Sequence, residues 1–327
     1  MTLNFLMGRL LRLVLCVAIA TTINFALPRL MPGNPVVAML GQDAAALTKQ
    51  DYADLMHEYG LDAPLPVQYV RYLSSLAEGE LGFSFHYRQP VAELIRGHLT
   101  WTLLLLLPAV LVSSVLALFL GSLAGWRPGS AVDMFFTLGS VCMHAVPQFL
   151  LAMLFLGLFG FRLGWFPLGG CHSGTGGSGM SLAADVLWHL TLPFVVLVLS
   201  STAMKLMVMR NAVAKAREED YVVYAFAKGV HELRVLFVHI LRNACLPLLN
   251  LVSLNLGFIV SGALLIEIVF SVNGMGTLIY QAAIHRDYPV LQACFLVLTL
   301  VVIGANTLID LVCGIVDPRL RTHDSTV

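Results

Sequence analysis

The sequence predicts an all-α membrane protein with about six transmembrane helices. Of its 327 residues, 58% are hydrophobic and only 12% are charged, and the mean hydropathy is +0.83. A soluble domain carries about 25% charged residues, so this chain lacks the charge needed to cover a soluble fold of its size. Six apolar segments are each long enough to cross a bilayer, which takes about 20 residues. They are roughly 10–31, 101–125, 134–160, 185–209, 246–271 and 293–316.

The first apolar segment is predicted to remain as a transmembrane helix over residues 1–31. Arg9 and Arg12 precede an apolar stretch that reaches Ala18-Ile19-Ala20, an arrangement that a cleavable signal peptide would also show. The apolar character continues past Ala20 as far as Met31. This continuation favours an uncleaved signal-anchor helix.

Lys and Arg residues in the loops predict the orientation, because short cytoplasmic loops carry an excess of both. With the N-terminus in the cytoplasm, twelve such residues lie inside, seven of them in a loop over 205–245 that begins with Lys205. The two short external loops then hold only Arg162 and Arg286. Both termini, including the tail at 317–327, are therefore predicted to be cytoplasmic.

Three regions are predicted to lie outside the bilayer. Residues 32–100 are too many for a simple connector, so they are expected to form an external domain on the periplasmic side. Residues 169–179 form an external loop rich in Gly and Ser, a composition typical of a flexible segment. Residues 210–245 form a cytoplasmic loop between the fourth and fifth helices, within a five-helix core over 101–316.

A short helix is predicted near the start of this cytoplasmic loop. Acidic residues at 218–220 suit a helix N-terminus, and Gly229 suits a helix C-terminus. With three-to-four spacing, four small or apolar residues share one face: Val222, Ala225, Phe226 and Gly229. Such a face needs burial, either against the ends of this protein's own spans or in a groove of a partner.

A set of motifs is distributed over nearly the whole chain. The loop contributes Glu219-Asp220-Tyr221-Val222, Ala225, Ala227-Lys228-Gly229, His239, Leu241-Arg242-Asn243-Ala244 and Leu246-Pro247. The N-terminal part contributes Pro32-Gly33-Asn34-Pro35, Tyr59-Gly60-Leu61-Asp62, Pro64-Leu65, Gln68-Tyr69 and Gly79-Glu80-Leu81-Gly82-Phe83-Ser84. The C-terminal part contributes Glu267, Val269-Phe270, Gly274-Met275-Gly276, Arg286-Asp287-Tyr288-Pro289 and Asp317-Pro318-Arg319. Together they resemble the permease subunits of ABC importers of the dipeptide/oligopeptide/nickel subfamily, and the loop resembles that subfamily's EAA loop.

Two positions depart from the subfamily pattern. Asn273 stands where the subfamily usually has Pro, and Leu99-Thr100-Trp101-Thr102 replaces a usual Leu-Pro-Ala-Thr. These departures put the local turn geometry in question, and they bear on the substrate subtype.

The resemblance implies a defined set of partners and a location in the bacterial inner membrane. Two homologous permease subunits pair, each engages one of two cytoplasmic ABC ATPase subunits, and an external solute-binding protein delivers peptides or a chelated metal such as nickel. This chain has no GxxxxGK[ST] sequence, so ATP and Mg²⁺ are expected on the partner subunits. We expect no catalytic residue, metal ligand or cofactor in this chain, and the neutral net charge gives no indication of nucleic-acid binding.

The resemblance also identifies candidate residues for coupling to the ATPase. They are Glu219, Asp220, Tyr221, Val222, Ala225, Phe226, Lys228 and Gly229. In this role the loop transmits the closure of the ATPase pair to the fourth and fifth spans.

Polar residues inside the predicted spans are candidates for the translocation pathway, because such residues usually face a bundle interior or a water-filled cavity. They are His144 and Gln148 on the third span, Asn250, Ser253, Gly257 and Ser261 on the fifth, and Glu267 near the fifth span's external end. The same residue types also let membrane helices approach closely and hydrogen-bond to one another. The sequence leaves both interpretations open.

Two other classes of protein are alternatives. A secondary transporter would need inverted repeats and buried carboxylates that couple ions, and only Glu267 and Asp310 are available. An intramembrane enzyme would need a nucleophile with a base, paired aspartates or a zinc motif, and the sequence shows none. Cys171-His172 could be connected with a metal cargo, but an adjacent pair in a flexible loop is more simply incidental.

Overall fold

The computed structural model describes residues 3–30, 63–84, 86–174 and 179–316, and within them the chain is almost entirely helical. The helices are α1 (Leu3–Leu30), α2 (Leu65–Ala77), α3 (Val91–Trp126), α4 (Ala131–Ala145), α5 (Gln148–Phe155), α6 (Met180–Ala216), α7 (Asp220–Ala227), α8 (Glu232–Arg234), α9 (Leu241–Val269), α10 (Met275–Ile284) and α11 (Tyr288–Val316). A π-helical segment, Leu156–Arg162, continues α5, and another, Val235–Ile240, joins α8 to α9. Strands β1 (Phe83–Ser84) and β2 (Gln89–Pro90) pair antiparallel, with Phe83 opposite Pro90.

The membrane-spanning character predicted from the sequence is confirmed. Among the described residues, four helical stretches are long and apolar enough to cross a bilayer: Val91–Trp126, Met180–Ala216, Glu232–Ser253 and Tyr288–Ile309. The bent pair α4 and α5 with its π-helical continuation would make a fifth. Within α1, Leu13–Ala26 forms a shorter apolar stretch. The count of six stays a prediction, and residues 32–62 of the predicted external domain lie outside the described residues.

The segment predicted as one span over 134–160 is instead broken in the middle. The axes of α4 and of α5 with its continuation differ by 94°. Val146, which precedes Pro147, is extended at φ −85° and ψ 122°, because the proline ring disfavours helical backbone in the residue before it. Pro108 and Pro193 lie inside α3 and α6, which continue past them. The break therefore reflects the tertiary surroundings of Pro147 as well as the residue itself.

The fourth predicted span also ends later than the sequence suggested. Helix α6 extends to Ala216, so Lys205 lies inside the helix and not in a cytoplasmic loop. Its side chain is only 1% exposed. Lys205 must therefore be removed from the charges that predict the orientation, which leaves eleven against two.

The chain divides into two compact units, and the larger is built on Leu103–Val272 with the part of α11 from Ala305 onward. Within it α6 packs against α9 and α4. Gly121 of α3 permits a close approach to α6, since a Cβ at this position would lie 2.7 Å from Met209 Cβ. Small residues at such contacts are the usual means by which membrane helices pack tightly.

The smaller unit contains Asn273–Gly304 and the described residues between Met7 and Thr102. Asn24 of α1 and Gln292 of α11 each donate a side-chain amide hydrogen to the other's backbone carbonyl, both at 2.9 Å. The backbone N–H of Met275 donates to Thr102 Oγ1 at 2.7 Å. The two departures from the subfamily pattern, at 99–102 and at 273, therefore lie at or beside the residues of this hydrogen bond. In it the Thr102 hydroxyl accepts from the first N–H of α10, which has no partner within the helix.

Candidate coupling and translocation sites

The short helix predicted in the cytoplasmic loop is present as α7. Glu219 is its N-cap residue and Asp220 lies in its first turn, where a negative charge complements the helix dipole. Gly229 has φ +74°, which suits a residue without Cβ, and its N–H donates to the carbonyl of Phe226 at 2.9 Å. Glycine at this position thus ends the helix as expected.

The predicted apolar face of α7 is divided between the protein interior and the surface. Val222 and Ala225 are buried in a cluster with residues of α6 and α9. For these two residues, the alternative in which this chain buries the face itself is therefore the correct one. Phe226 and Gly229 are exposed, as are Glu219, Asp220 and Lys228. A partner could therefore contact these exposed residues but not Val222 or Ala225.

Three of the exposed apolar or aromatic side chains on α7 form what we call the outer patch: Tyr221, Val223 and Tyr224. Val223 is 60% exposed and Tyr224 is 63% exposed. Lys228 lies over the Tyr224 ring, 4.5 Å from its centroid. Sequence reasoning selected Tyr221 by resemblance but missed Val223 and Tyr224, because the period of a short helix does not tell which face is covered.

The cluster that buries Val222 and Ala225 joins α3, α6, α7, the π-helical segment Val235–Ile240 and α9, and we call it the loop cluster. Its buried members are Ala117, Leu206, Met209, Val213, Val222, Ala225, Val235, Leu236, Ile240, Ala244, Leu248 and Val252. Near it, Arg217 stacks on Trp126 and donates to the Trp126 carbonyl at 2.7 Å. Helix α7 is therefore anchored by packing to α6 and to the segment that leads into α9.

A partly buried ion pair ties α4 to α6, and the sequence analysis did not predict it. Arg210 Nε donates to Asp133 Oδ1 at 2.8 Å, and Arg210 Nη2 donates to Oδ2 at 2.5 Å. The Gly129 N–H and the Thr137 hydroxyl also donate to this carboxylate, at 2.9 and 3.1 Å. The sequence assigned Arg210 to a loop, so nothing indicated that it would meet an acid 77 residues away.

A cavity of about 290 Å³ lies where α4 gives way to α5. Its walls are Leu106, Ala109, Val110, Met143, His144, Val146, Pro147, Gln148, Leu197, Ser200, Ser201, Met204, Lys205 and Ala263. Two predicted pathway residues, His144 and Gln148, line it on either side of the break. In membrane proteins, non-helical backbone at such depth is tolerated where it lines a cavity or is covered by protein.

The other predicted pathway residues lie elsewhere. Ser253 donates to Asn306 Oδ1 at 3.2 Å, a contact between helices of the kind that the packing alternative anticipated. Asn250 is exposed, and Glu267 is fully buried without lining the cavity. Gly257 and Ser261 lie in a stretch of α9 whose burial and side-chain contacts are outside the described part of the structure.

Lys205 is the cavity residue that sequence reasoning missed. Its Nζ donates to Ser113 Oγ at 2.6 Å and to Ser114 Oγ at 3.2 Å, and lies 3.5 Å from the Val110 carbonyl. The apolar run over 206–209 was the available signal, because it shows that the helix continues past the lysine. The rule that lysine favours the cytoplasmic end of a span predicts instead that the helix ends near Lys205.

The Gly/Ser-rich loop, which the sequence predicts to be external, is held by hydrogen bonds to α6. Asp185 accepts from the Ser173 N–H at 2.7 Å and from the Ser173 hydroxyl at 2.6 Å. His172 Nδ1 accepts from the Gly174 N–H at 3.0 Å, and Cys171 is buried. Within the described part of the chain, no three His, Cys, Asp or Glu side chains come together as a metal site.

Comparison with protein families identifies two matching regions. Residues 117–322 match the family described as the binding-protein-dependent transport system inner membrane component. Residues 2–106 match the N-terminal region of the membrane component of such systems. The two matches together cover both compact units.

Individual relatives match over nearly their full length. The di/tripeptide transport system permease protein of Pseudomonas aeruginosa is 34% identical over 334 residues, which cover 98% of this chain and 99% of that protein. The oligopeptide transport system permease protein of Bacillus subtilis is 32% identical over 302 residues, or 92% of this chain and 94% of the relative. The glutathione transport system permease protein of Salmonella paratyphi A is 32% identical over 320 residues, or 98% and 99%.

Proposed function

The chain belongs to the family of binding-protein-dependent transport system inner membrane components, and from this premise we propose that it is one permease subunit of an ATP-driven importer of peptides. The observation that carries the proposal is the construction of α7, which is anchored on one side by the loop cluster and bears the apolar outer patch on the other. An apolar patch on a polar loop is typical of a surface that a partner covers.

The proposed topology has six spans, with both termini and α7 in the cytoplasm. The six spans are α1, α3, the bent pair α4–α5, α6, the α8–α9 stretch and α11. The charges that remain after Lys205 is removed support this orientation. Under it, His172 and the loop around it lie on the external side.

The proposed partners are two cytoplasmic ATPase subunits, a second homologous permease and an external solute-binding protein. The outer patch docks on one ATPase, and ATP with its Mg²⁺ binds there and not to this chain. Because Val222 and Ala225 are embedded in the loop cluster, a displacement of α7 is passed to α6 and α9. Cargo then crosses between the two permeases by alternating access.

The proposed cargo is a peptide. The relatives described above are named for di- and tripeptides, oligopeptides and glutathione, all of which contain amide bonds. A chelated metal such as nickel, which the sequence resemblance also implies, has no support from these names. A secondary transporter or an intramembrane enzyme is not favoured by the family.

The test is to replace Tyr224 with Asp in a reconstituted complex of all partners. We expect copurification of the ATPase and ATP-dependent peptide uptake to fall at least about tenfold, because a charge cannot enter an apolar groove without losing its hydration. The matched control is Tyr280→Asp, which changes an exposed aromatic residue of α10 and should leave ATPase recruitment unchanged. Full recruitment and uptake with Tyr224→Asp would exclude the coupling role.

A further inference from the structure

Lys205 is a buried cation without a counter-ion among the residues whose side chains the structure describes. The ion pairs found there join Arg127 to Glu232 and Arg210 to Asp133, and His189 contacts Asp185. Lys205 instead donates to two serine hydroxyls, which are neutral. Ionisable residues inside membrane helices are costly and commonly mark a pathway, with a partner of opposite charge. That partner remains to be identified for Lys205.

Lys205 lies deep in its helix and forms part of the cavity wall. Eleven residues separate it from the end of α6 at Ala216, about 16 Å at 1.5 Å per residue. Met204, the neighbouring wall residue, is 44% exposed, so this wall of the cavity borders the protein surface. A ligand in the cavity could therefore approach the ammonium group while that group stays shielded from bulk water.

The residues that line the cavity suit a ligand in which a carboxylate lies next to an amide bond. None of the described residues that line it is an acid, while Gln148, Ser200 and Ser201 supply hydrogen-bonding side chains. Its wall includes the N-terminal end of α5, which carries partial positive charge. The N-termini of broken membrane helices bind anionic groups of substrates in several transporter folds.

We propose that this cavity binds the terminal carboxylate of the peptide cargo, with Lys205 as its counter-charge and Gln148 and the serines facing the adjacent amide. The proposal rests on the proposed function, because it names a site within the same pathway. A volume of about 290 Å³ is just below the range of about 300–1,000 Å³ that is typical of ligand pockets. It suits the end of a peptide and not a whole oligopeptide. Ser113 and Ser114 hold the ammonium in place until the carboxylate replaces one of them.

A purely structural role would make a different prediction. If Lys205 served only to join α3 to α6 through Ser113, any residue able to hydrogen-bond to that serine would replace it. Lys205→Gln keeps a hydrogen-bond donor and removes the charge, whereas Lys205→Arg keeps the charge. The two substitutions therefore separate the role of the charge from that of the hydrogen bond.

The experiment compares alanyl-alanine with its C-terminal amide. Binding of each to the complete complex in nanodiscs, without the solute-binding protein, is measured by saturation-transfer NMR, which detects millimolar affinities. We expect wild type and Lys205→Arg to bind the free acid roughly tenfold more tightly than the amide. Lys205→Gln should bind both peptides with equal, weak affinity. Lys215→Gln, which removes an exposed charge from the same helix, should retain the wild-type preference.

Several results would overturn the inference. They are equal affinity of the wild type for both peptides, an unchanged preference in Lys205→Gln, and failure of Lys205→Gln to assemble, which would assign Lys205 a structural role. Uptake that depends on ATP and on the binding protein is measured separately on the wild type. If that uptake is absent, the proposed function fails. If it is present while the preference for the free acid is missing, only the cavity assignment fails.

Discussion

The Asp133–Arg210 pair is expected to be the strongest single tie between α4 and α6. The side chains are 6% and 25% exposed, and both oxygens of the carboxylate accept from the guanidinium. Arg210→Met keeps most of the aliphatic volume but leaves the carboxylate with neutral donors only. Breaking a buried ion pair costs about 3–5 kcal/mol. Because a quarter of the Arg210 side chain is exposed, we expect the lower value, about 3 kcal/mol.

The free energy of unfolding is measured by SDS titration of the protein in mixed micelles. The double variant Asp133→Asn/Arg210→Met removes the uncompensated charge and should recover at least about 1 kcal/mol of the loss. Arg127→Met breaks an exposed ion pair, in which the Arg127 side chain is 70% exposed and the Glu232 side chain 56% exposed. This substitution should lower the free energy of unfolding by less than about 1 kcal/mol. A loss for Arg210→Met no larger than for Arg127→Met, or additive effects in the double variant, would refute the reasoning.

Three further predictions concern packing, helix capping and pH. Gly121→Leu should lower the free energy of unfolding by about 1–3 kcal/mol in the same titration, because its Cβ meets Met209, whereas Gly139→Leu, with open space around it, should not. Thr102→Val should lower the free energy of unfolding by about 1–2 kcal/mol, because the buried Met275 N–H loses its acceptor. It should also speed hydrogen exchange at the start of α10, and an unchanged exchange rate there would contradict this prediction. Burial and the nearby Asp287 raise the pKa of Tyr87 above its ordinary value. The neutral phenol is therefore favoured in the folded state, and its stabilising contribution, present below pH 10, should be lost as pH rises through the folded-state pKa. An alkaline absorbance titration of wild type minus Tyr87→Phe should show this late ionisation, and a midpoint near 10 would oppose it.

The apolar segments were predictable because lipid imposes a simple rule on length and polarity. The break at Pro147 was not, since Pro108 and Pro193 are the same residue in equally apolar surroundings and leave α3 and α6 continuous. A membrane helix continues past proline only where neighbouring groups satisfy the freed carbonyl. Such groups can come from other helices, so the local sequence does not decide where a helix breaks.

The candidate sites were predictable to different extents for a related reason. The three-to-four spacing correctly grouped Val222 with Ala225, because a helical period fixes which residues share a face. It did not show that this chain buries the pair, nor that Val223 and Tyr224 are among the most exposed apolar or aromatic residues of α7. His144 and Gln148 line the cavity, whereas the rule for charges near span ends places Lys205 at a helix end. A lysine indicates topology when it lies in a loop or near the end of a span, and not when it is buried far inside a helix.

The two sites are connected by one side of α6. Ser201 and Lys205 line the cavity, and Met209 and Val213 belong to the loop cluster, so residues at four-residue spacing pass from one site to the other. Eight residues, about 12 Å, separate Lys205 from Val213. The proline of α6 lies at 193, before this stretch, so nothing in the sequence introduces a hinge between them. If a motor moves α7, the loop cluster moves with it, and a straight helix carries that displacement to the lysine. The same motion that opens the pathway would then withdraw the counter-charge from the cargo, so release of a peptide would follow from the geometry of a single helix.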